Sequence, residues 1–271
     1  MQSPKRFLGQ TDIEITPIGL GSWQFSGSLI STSYWAPLTH VNVDGIVEAA
    51  CEGGINWFDT AELYGFGRSE KALSHALTAS GKSNGDIVIA TKWFPAYRTA
   101  GWIQRTINKR IENLHPFEVD LHQIHFSNSL SSIEEQMDTM AGLLEQHKIK
   151  AIGVSNFSEA LLRRAHKKLS ERGLPLASVQ MRYNILDRSI EKNGVLSAAQ
   201  ELGITVIAYS PLQLGLLSGK FHRQPDLVDK LPRLRKKVIR PMLERSRKLM
   251  FEMERIAADY GVTPAQIALN W

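Results

Sequence analysis

The chain has 271 residues, 43% hydrophobic and 22% charged, and a formal net charge of +5. No apolar run approaches the roughly 20 residues needed to cross a bilayer, and Lys5 and Arg6 have no apolar stretch behind them to form a secretory signal. Cys51 is the only cysteine, which excludes an internal disulfide and leads us to expect a reducing, cytoplasmic setting. Basic residues gather in Arg233, Arg235, Lys236, Lys237, Arg240, Arg245, Arg247 and Lys248. They form either a solvated face or a landing surface for an anionic cofactor or substrate. Without an aromatic platform or a recognition motif, they do not make a nucleic-acid site.

Taken in chain order, Phe7 to Pro17 reads as a short hairpin turning at Gly9-Gln10 and Thr11-Asp12. Apolar β-branched runs then alternate with amphipathic segments, the pattern of repeated βα units around a parallel sheet. Strands are expected at Ile18 to Leu20, Ile55 to Asp59, Asp86 to Lys92, Val119 to His125, Ala151 to Val154, Ala177 to Gln180 and Thr205 to Tyr209. Helical periodicity marks Val43 to Glu52, Ile103 to Leu114, Ile133 to His147 and Glu159 to Glu171. Ser131-Ser132 and Ser158 stand where helix N-caps belong, and Gly173 and Gly203 where helices stop. After Tyr209 an irregular stretch runs to Arg240, followed by a helix from about Met242 to Tyr260 and another opening at Thr263-Pro264. No linker or low-complexity tract interrupts residues 1–271, which read as one domain.

Strand ends on one face of a parallel barrel are where such a fold keeps its chemistry. Asp59, Lys92 and His125 stand at three successive strand ends, and Tyr64 follows the first of them. Reducing a carbonyl requires a hydride at carbon and an acid for the oxygen. Tyr64 can be that acid, although a free phenol titrates near 10. An ammonium at Lys92 would lower that value, and a carboxylate at Asp59 would hold the ammonium in place. His125 would donate to the carbonyl oxygen. His122 and His125 lie three apart on a strand and point to opposite faces, so they make no metal pair. With no His-Glu-x-x-His or Cys-x-x-Cys motif, no metal is expected.

The stretch Asn56-Trp57-Phe58-Asp59-Thr60-Ala61-Glu62-Leu63-Tyr64-Gly65 resembles the second-strand signature of the aldo-keto reductases. The resemblance runs from the amino terminus to Trp271 and implies a (β/α)8 TIM barrel. It also implies that Asp59, Tyr64, Lys92 and His125 are the catalytic four. Only seven βα units are present, so the eighth, which supplies part of the adenosine pocket in the family, is missing from this chain. The hydride donor implied is NADPH, with NADH as the other possible nicotinamide. Gly19-Leu20-Gly21-Ser22-Trp23-Gln24 fails as a Rossmann fingerprint because Gln24 replaces the third glycine, and these barrels bind the dinucleotide across the strand ends instead. Gly153-Val154-Ser155-Asn156-Phe157 matches the fifth-strand motif, so Ser155 and Asn156, with Gln180, are expected on the carboxamide. Ala208-Tyr209-Ser210-Pro211-Leu212 matches the seventh, so Tyr209 is expected to stack on the nicotinamide. Backbone from Ser210 through Leu212 to Gly215 would face the pyrophosphate, with Lys220 nearby.

Trp23, Trp93 and Phe126 follow strand ends and are expected to line the substrate pocket, with Trp23 and Asp59 also touching the cofactor. Tyr34 and Trp35, on the long first loop, are further candidates. The partner implied is a small carbonyl compound, with no membrane and no nucleic acid, acted on by a monomer or weak homo-oligomer. Two other functions use the same residues. One is a non-catalytic cofactor sensor resembling the potassium-channel β subunits. The other is an aldolase with Lys92 as Schiff-base amine, which Asp59 disfavours by keeping Lys92 charged.

Overall fold

In the computed structural model, which describes residues 4–271, the chain opens with an antiparallel pair, β1 (Arg6–Phe7) and β2 (Glu14–Ile15). Gly9 turns between them at φ +58°, where an added Cβ would meet the Ala177 carbonyl oxygen at 2.5 Å. Its amide donates to Thr205 Oγ1 at 2.7 Å, fastening the hairpin beneath the main sheet. After β3 (Leu20–Gly21) come the single-turn helix α1 (Leu29–Thr32) and α2 (His40–Glu52). Then β4 (Trp57–Asp59), α3 (Arg68–Ala79), β5 (Val88–Trp93), α4 (Gly101–Leu114) and β6 (Leu121–Ile124) alternate. The alternation continues through α5 (Ile133–Glu145), β7 (Ala151–Ser155), α6 (Glu159–Ser170), β8 (Ser178–Arg182), α7 (Val195–Glu201) and β9 (Thr205–Tyr209). Three helices close it: α8 (Lys220–Arg223), α9 (Arg233–Asp259) and α10 (Pro264–Asn270).

The strands β3 to β9 form one parallel sheet in sequence order. Laid flat, β4 and β8 would stand about 19 Å apart at the usual strand spacing. Yet Gln180 on β8 donates to Asp59 on β4 at 2.9 Å. The sheet is therefore curled into a seven-stranded half-barrel. Among the described residues, β3 pairs only with β4 and β9 only with β8, so the curl has two open edges.

Side chains alternate across each strand, and one two-residue stride inside the barrel changes its chemistry. Trp57, Ala90, Leu121, Ala151 and Ile207 pack with Leu8 and Ile15 of the hairpin as an apolar floor. Two residues later the same strands deliver Asp59, Lys92, Gln123 and Tyr209. The intervening Phe58, Ile89, Ile124, Ile152, Val154 and Val179 face outward into the main core against the helices. Each fully buried Leu or Ile there contributes roughly 1.5–3 kcal/mol. The floor holds the barrel shut from below, and the polar layer is left at the strand ends.

Several caps match the expected stops and starts. Ser132 and Thr263 form capping boxes with Glu135 and Gln266, and Ser158 accepts from the Leu161 amide. The stretch after Tyr209 differs from expectation, because α9 begins at Arg233 and runs through Pro241. A proline inside a helix forfeits one backbone bond, but Arg235 and Ile239, both buried, anchor the turns before it. Packing outweighs the local penalty.

Candidate active site

A cleft of about 1340 Å³ opens at the carboxyl ends of the strands and runs down between β3 and β9. Asp59 lies at its base and is held by three donors: Lys92 Nζ at 2.5 Å, Gln180 Nε2 at 2.9 Å and Gln123 Nε2 at 3.3 Å. Lys92 is wholly buried and donates also to the Thr60 carbonyl at 2.9 Å. Burial alone would lower its pKa, but Asp59 and Tyr64 together outweigh this and raise it. Lys92 is thus a fixed cation beneath the cleft, 5.1 Å from the centre of the Tyr64 ring.

Tyr64 sits on the turn after β4, where Gly65, Phe66 and Gly67 successively take left-handed backbone angles. Burial pushes its phenol above the ordinary value, Lys92 pulls it back and Asp59 adds a smaller upward push. His125 stands edge-on to Tyr64, ring centres 5.7 Å apart, and stacks flat on Phe126 at 4.4 Å. Burial, then the Lys92 charge, lowers the His125 pKa to about 2. Its imidazole is neutral at physiological pH, and its Nδ1 is buried without a hydrogen-bond partner. A phenol, a neutral imidazole and a buried ammonium converge on one point of the cleft. Such a set can hold an oxygen and transfer a proton to it.

Along the same cleft, Tyr209 donates from its hydroxyl to Asn156 Oδ1 at 2.9 Å. Asn156 in turn donates to Ser155 Oγ and to the His125 carbonyl. This chain of bonds orients Ser155, Asn156 and Tyr209 beside Gln180 on the cleft wall. Ser210, Leu212, Gly215 and Lys220 continue the wall past β9. Trp23, Tyr34, Trp35 and Phe126 line the opposite side, with Trp23 5.4 Å from Tyr34 and 6.3 Å from Tyr64 between ring centres.

Trp93 is the exception among the expected pocket residues. It is fully buried in the main core and does not line the cleft. Lys92 points into the barrel, so the next residue on the strand must point out. Phe126 escapes this rule because β6 ends at Ile124.

Three groups that sequence reasoning did not single out support the site. Gln123 is the third donor to Asp59, and the inward register of Leu121 was the signal for it. Glu62 accepts from the Phe94 amide at 2.9 Å and Arg98 at 2.7 Å, while Glu70 pairs with Arg110 at 3.0 Å. This buried charge cluster braces the turn that carries Tyr64. Arg235 was named only within a basic run read as either a solvated face or an anion-landing surface, and it is only 7% exposed and lines the cleft. Among the described residues, no cluster of three or more His, Cys, Asp or Glu could hold a metal ion, and no helix is long and apolar enough to cross a membrane.

Comparison with protein-family models matches residues 17–271 to the Aldo/keto reductase family. Among curated proteins, the chain is 32% identical to the chloroplastic pyridoxal reductase of Arabidopsis thaliana, covering 96% of this chain and 73% of that protein. It is 29% identical to the aldo-keto reductase YhdN of Bacillus subtilis (strain 168), covering 97% of this chain and 79% of YhdN. Among solved structures, the thermostable aldo-keto reductase Tm1743, in complex with the inhibitor epalrestat, superposes with a TM-score of 0.75 at 30% identity, covering 97% of this chain and 83% of Tm1743. The glycerol dehydrogenase AKR11B4 of Gluconobacter oxydans gives 0.77 at 28% identity, covering 99% of this chain and 82% of the dehydrogenase. Curled parallel sheet, strand-end cleft and near full-length similarity agree: this chain belongs to the aldo/keto reductase family of oxidoreductases, which use NAD(P)H and act on small carbonyl compounds.

Proposed function

We propose that this chain, acting as one barrel domain, reduces an aldehyde or ketone to an alcohol with NADPH as hydride donor. The observation that carries this is the buried Lys92–Asp59 pair directly beneath Tyr64, with neutral His125 beside it. A nicotinamide held there by Ser155, Asn156, Gln180 and Tyr209 would supply the hydride for the carbonyl carbon. Tyr64 releases its proton to the carbonyl oxygen as charge builds there, and Lys92 stabilises the phenolate left behind. Asp59 keeps the ammonium charged and in place. His125 donates a hydrogen bond that orients the carbonyl oxygen. The raised pKa of Lys92 counts against a Schiff-base role, which needs a neutral amine.

The cleft also offers the groups a dinucleotide requires. Ser155, Asn156 and Gln180 present amide and hydroxyl partners for a carboxamide, and Tyr209 a face for an aromatic ring. The turn from Ser210 through Leu212 to Gly215, together with Lys220, suits the diphosphate that NADPH and NADH share, and the preference for NADPH rests on the family resemblance. Trp23, Tyr34, Trp35 and Phe126 make an aromatic wall suited to an apolar body around the one polar carbonyl. The test is NADPH oxidation by the purified protein with a panel of aldehydes and ketones, paired with a cofactor titration. Aldehyde-dependent oxidation is the expected result. Tight NADPH binding without turnover of any carbonyl would replace it with the cofactor-sensing alternative.

A further inference from the structure

Glu62 precedes Tyr64 by two residues and is fixed from within the fold. Its amide donates to the Lys92 carbonyl at 2.9 Å, and the buried guanidinium of Arg110 stands 3.5 Å from its carboxylate. Arg110 pairs in turn with Glu70, which accepts from Thr91 and Asn113 at 2.8 and 2.9 Å. One oxygen of Glu62 takes the Phe94 amide at 2.9 Å, and the other takes Arg98 Nη1 at 2.7 Å. Arg98 differs from this inner set. It sits on the loop after β5, partly open to solvent, and Glu62 is its one ion-pair partner among the described residues. The carboxylate is the fixed half of the pair, and the arginine is the half that its loop brings to it.

That loop is shaped to aim Arg98 inward. Tyr97 takes φ +59°, left-handed backbone that is costly for a bulky residue, in a turn closed by the Arg98 amide on the Pro95 carbonyl at 2.9 Å. Tyr97 itself is 91% exposed, so its own ring does not hold this angle; the contacts of the next residue do. The Arg98 guanidinium packs 5.5 Å from the centre of Trp102 and 5.9 Å from that of Phe94. Its carbonyl accepts from Ser129 Oγ and from the Leu130 amide, each at 2.9 Å, and the Ala100 amide donates to Ser131 Oγ at 3.0 Å. The loop after β6 is thereby fastened to the loop after β5. It opens with Phe126, which meets Phe94 edge-on at 6.5 Å and lies flat on His125.

Resting on the reductase reading above, we infer that Glu62 and Arg98 form a latch that sets substrate preference, by holding Phe126 as a rigid aromatic ledge in favour of flat aromatic carbonyls. Glu62 draws in Arg98, Arg98 draws the two loops together, and Phe94 backs Phe126 where it faces the cleft. Neither Glu62 nor Arg98 lines the cleft, so both are positioning residues. An aromatic carbonyl stacks on the ledge and gains from its being fixed. A short aliphatic aldehyde needs only the groups that meet its oxygen, and gains little.

Arg98→Met removes the charge, keeps an apolar stem against Phe94 and Trp102, and leaves Glu62 on Arg110. Hydrogen exchange on the protein without cofactor or substrate reads the latch directly. The Ala100 and Leu130 amides should exchange at least about fivefold faster in Arg98→Met, because the bonds between the loops open more often. The Phe94 amide should stay slow, because Glu62 still accepts it. In NADPH-dependent turnover the KM for benzaldehyde should rise about fivefold and that for propanal less than about twofold, with kcat and NADPH affinity nearly unchanged. Arg98→Lys should recover part of the benzaldehyde KM, because a single Nη1 contact carries the pair. Tyr97→Gly, which takes the left-handed angle without strain, should match the wild type in both KM values. Ala100 and Leu130 exchange within about twofold of wild type would overturn the inference. So would an equal rise in KM for the two aldehydes, or an Arg98→Lys variant as impaired as Arg98→Met. If exchange accelerates as stated while the wild type reduces no carbonyl, the latch stands and the reductase reading fails.

Discussion

Lys92 and Asp59 act on the Tyr64 phenol with opposite signs: the ammonium lowers its pKa and the carboxylate raises it. Lys92→Met should therefore move the alkaline break of the reduction pH–rate profile upward, because the proton is held more tightly. It should also destabilise the fold by about 3–5 kcal/mol, since it leaves Asp59 buried and uncompensated. Asp59→Asn should move the break downward as long as Lys92 stays charged. Pre-steady-state reduction across pH would read both, and an alkaline break that does not move upward in Lys92→Met would refute this assignment of charges. Tyr64→Phe should lower the rate by about 10² to 10⁴ with NADPH affinity nearly unchanged. More than half the parent rate would remove Tyr64 from the acid role. At this scale much was legible, because Asp59, Lys92 and His125 sit at strand ends where alternation is simple. Trp93 was misread by ignoring that alternation, which sends it outward once Lys92 points in. Arg235 was named only within a basic run whose two readings stayed open, because sequence alone does not distinguish the one arginine that turns back against an aromatic ring.

Among elements, strand positions fell within a few residues of expectation because buried parallel strands are short apolar runs with sharp polar ends. The irregular stretch after Tyr209 was harder. Left-handed backbone at Gln213, Leu214 and Gly215 has no simple sequence signature in the two non-glycine residues. Pro241 concealed the first two turns of α9, because its penalty is local while the packing that overrides it comes from the turn after β9. The hairpin beneath the barrel was readable from its turn residues, and its role is testable. Gly9→Ala would introduce a methyl 2.5 Å from the Ala177 carbonyl oxygen at a backbone angle that disfavours side chains. It should lower stability by more than about 1 kcal/mol, beyond what compatible Gly→Ala changes contribute in the opposite direction. Chemical denaturation would measure it. Unchanged stability would mean that the hairpin does not brace the floor.

Over the whole molecule, the βα alternation made the parallel sheet legible, whereas its curl required a long-range contact, Gln180 to Asp59. The same curl buries two histidines as neutral rings, and this sets how the protein should respond to acid. His122 is buried with its pKa lowered to about 3, by burial and then by the Arg110 charge, and that of His125 is lowered to about 2. Unfolded, both take up a proton near pH 6.5. Between that pH and the folded values the unfolded chain binds more protons, so stability rises with pH there and falls as acid is added. Each ring contributes a slope of up to about 1.4 kcal/mol per pH unit. Glu70 and Asp120 oppose this at lower pH, because burial raises their folded pKa values and favours the protonated native state. The net expectation is a melting temperature that is level above pH 7 and declines steadily from about pH 6.5 toward pH 5. His122 is the cleaner group to remove, because it lies outside the cleft. His122→Leu should reduce the slope of that decline by about half and leave the plateau near its original height. A decline equally steep in His122→Leu would show that the imidazole is already protonated, or exposed, in the folded protein.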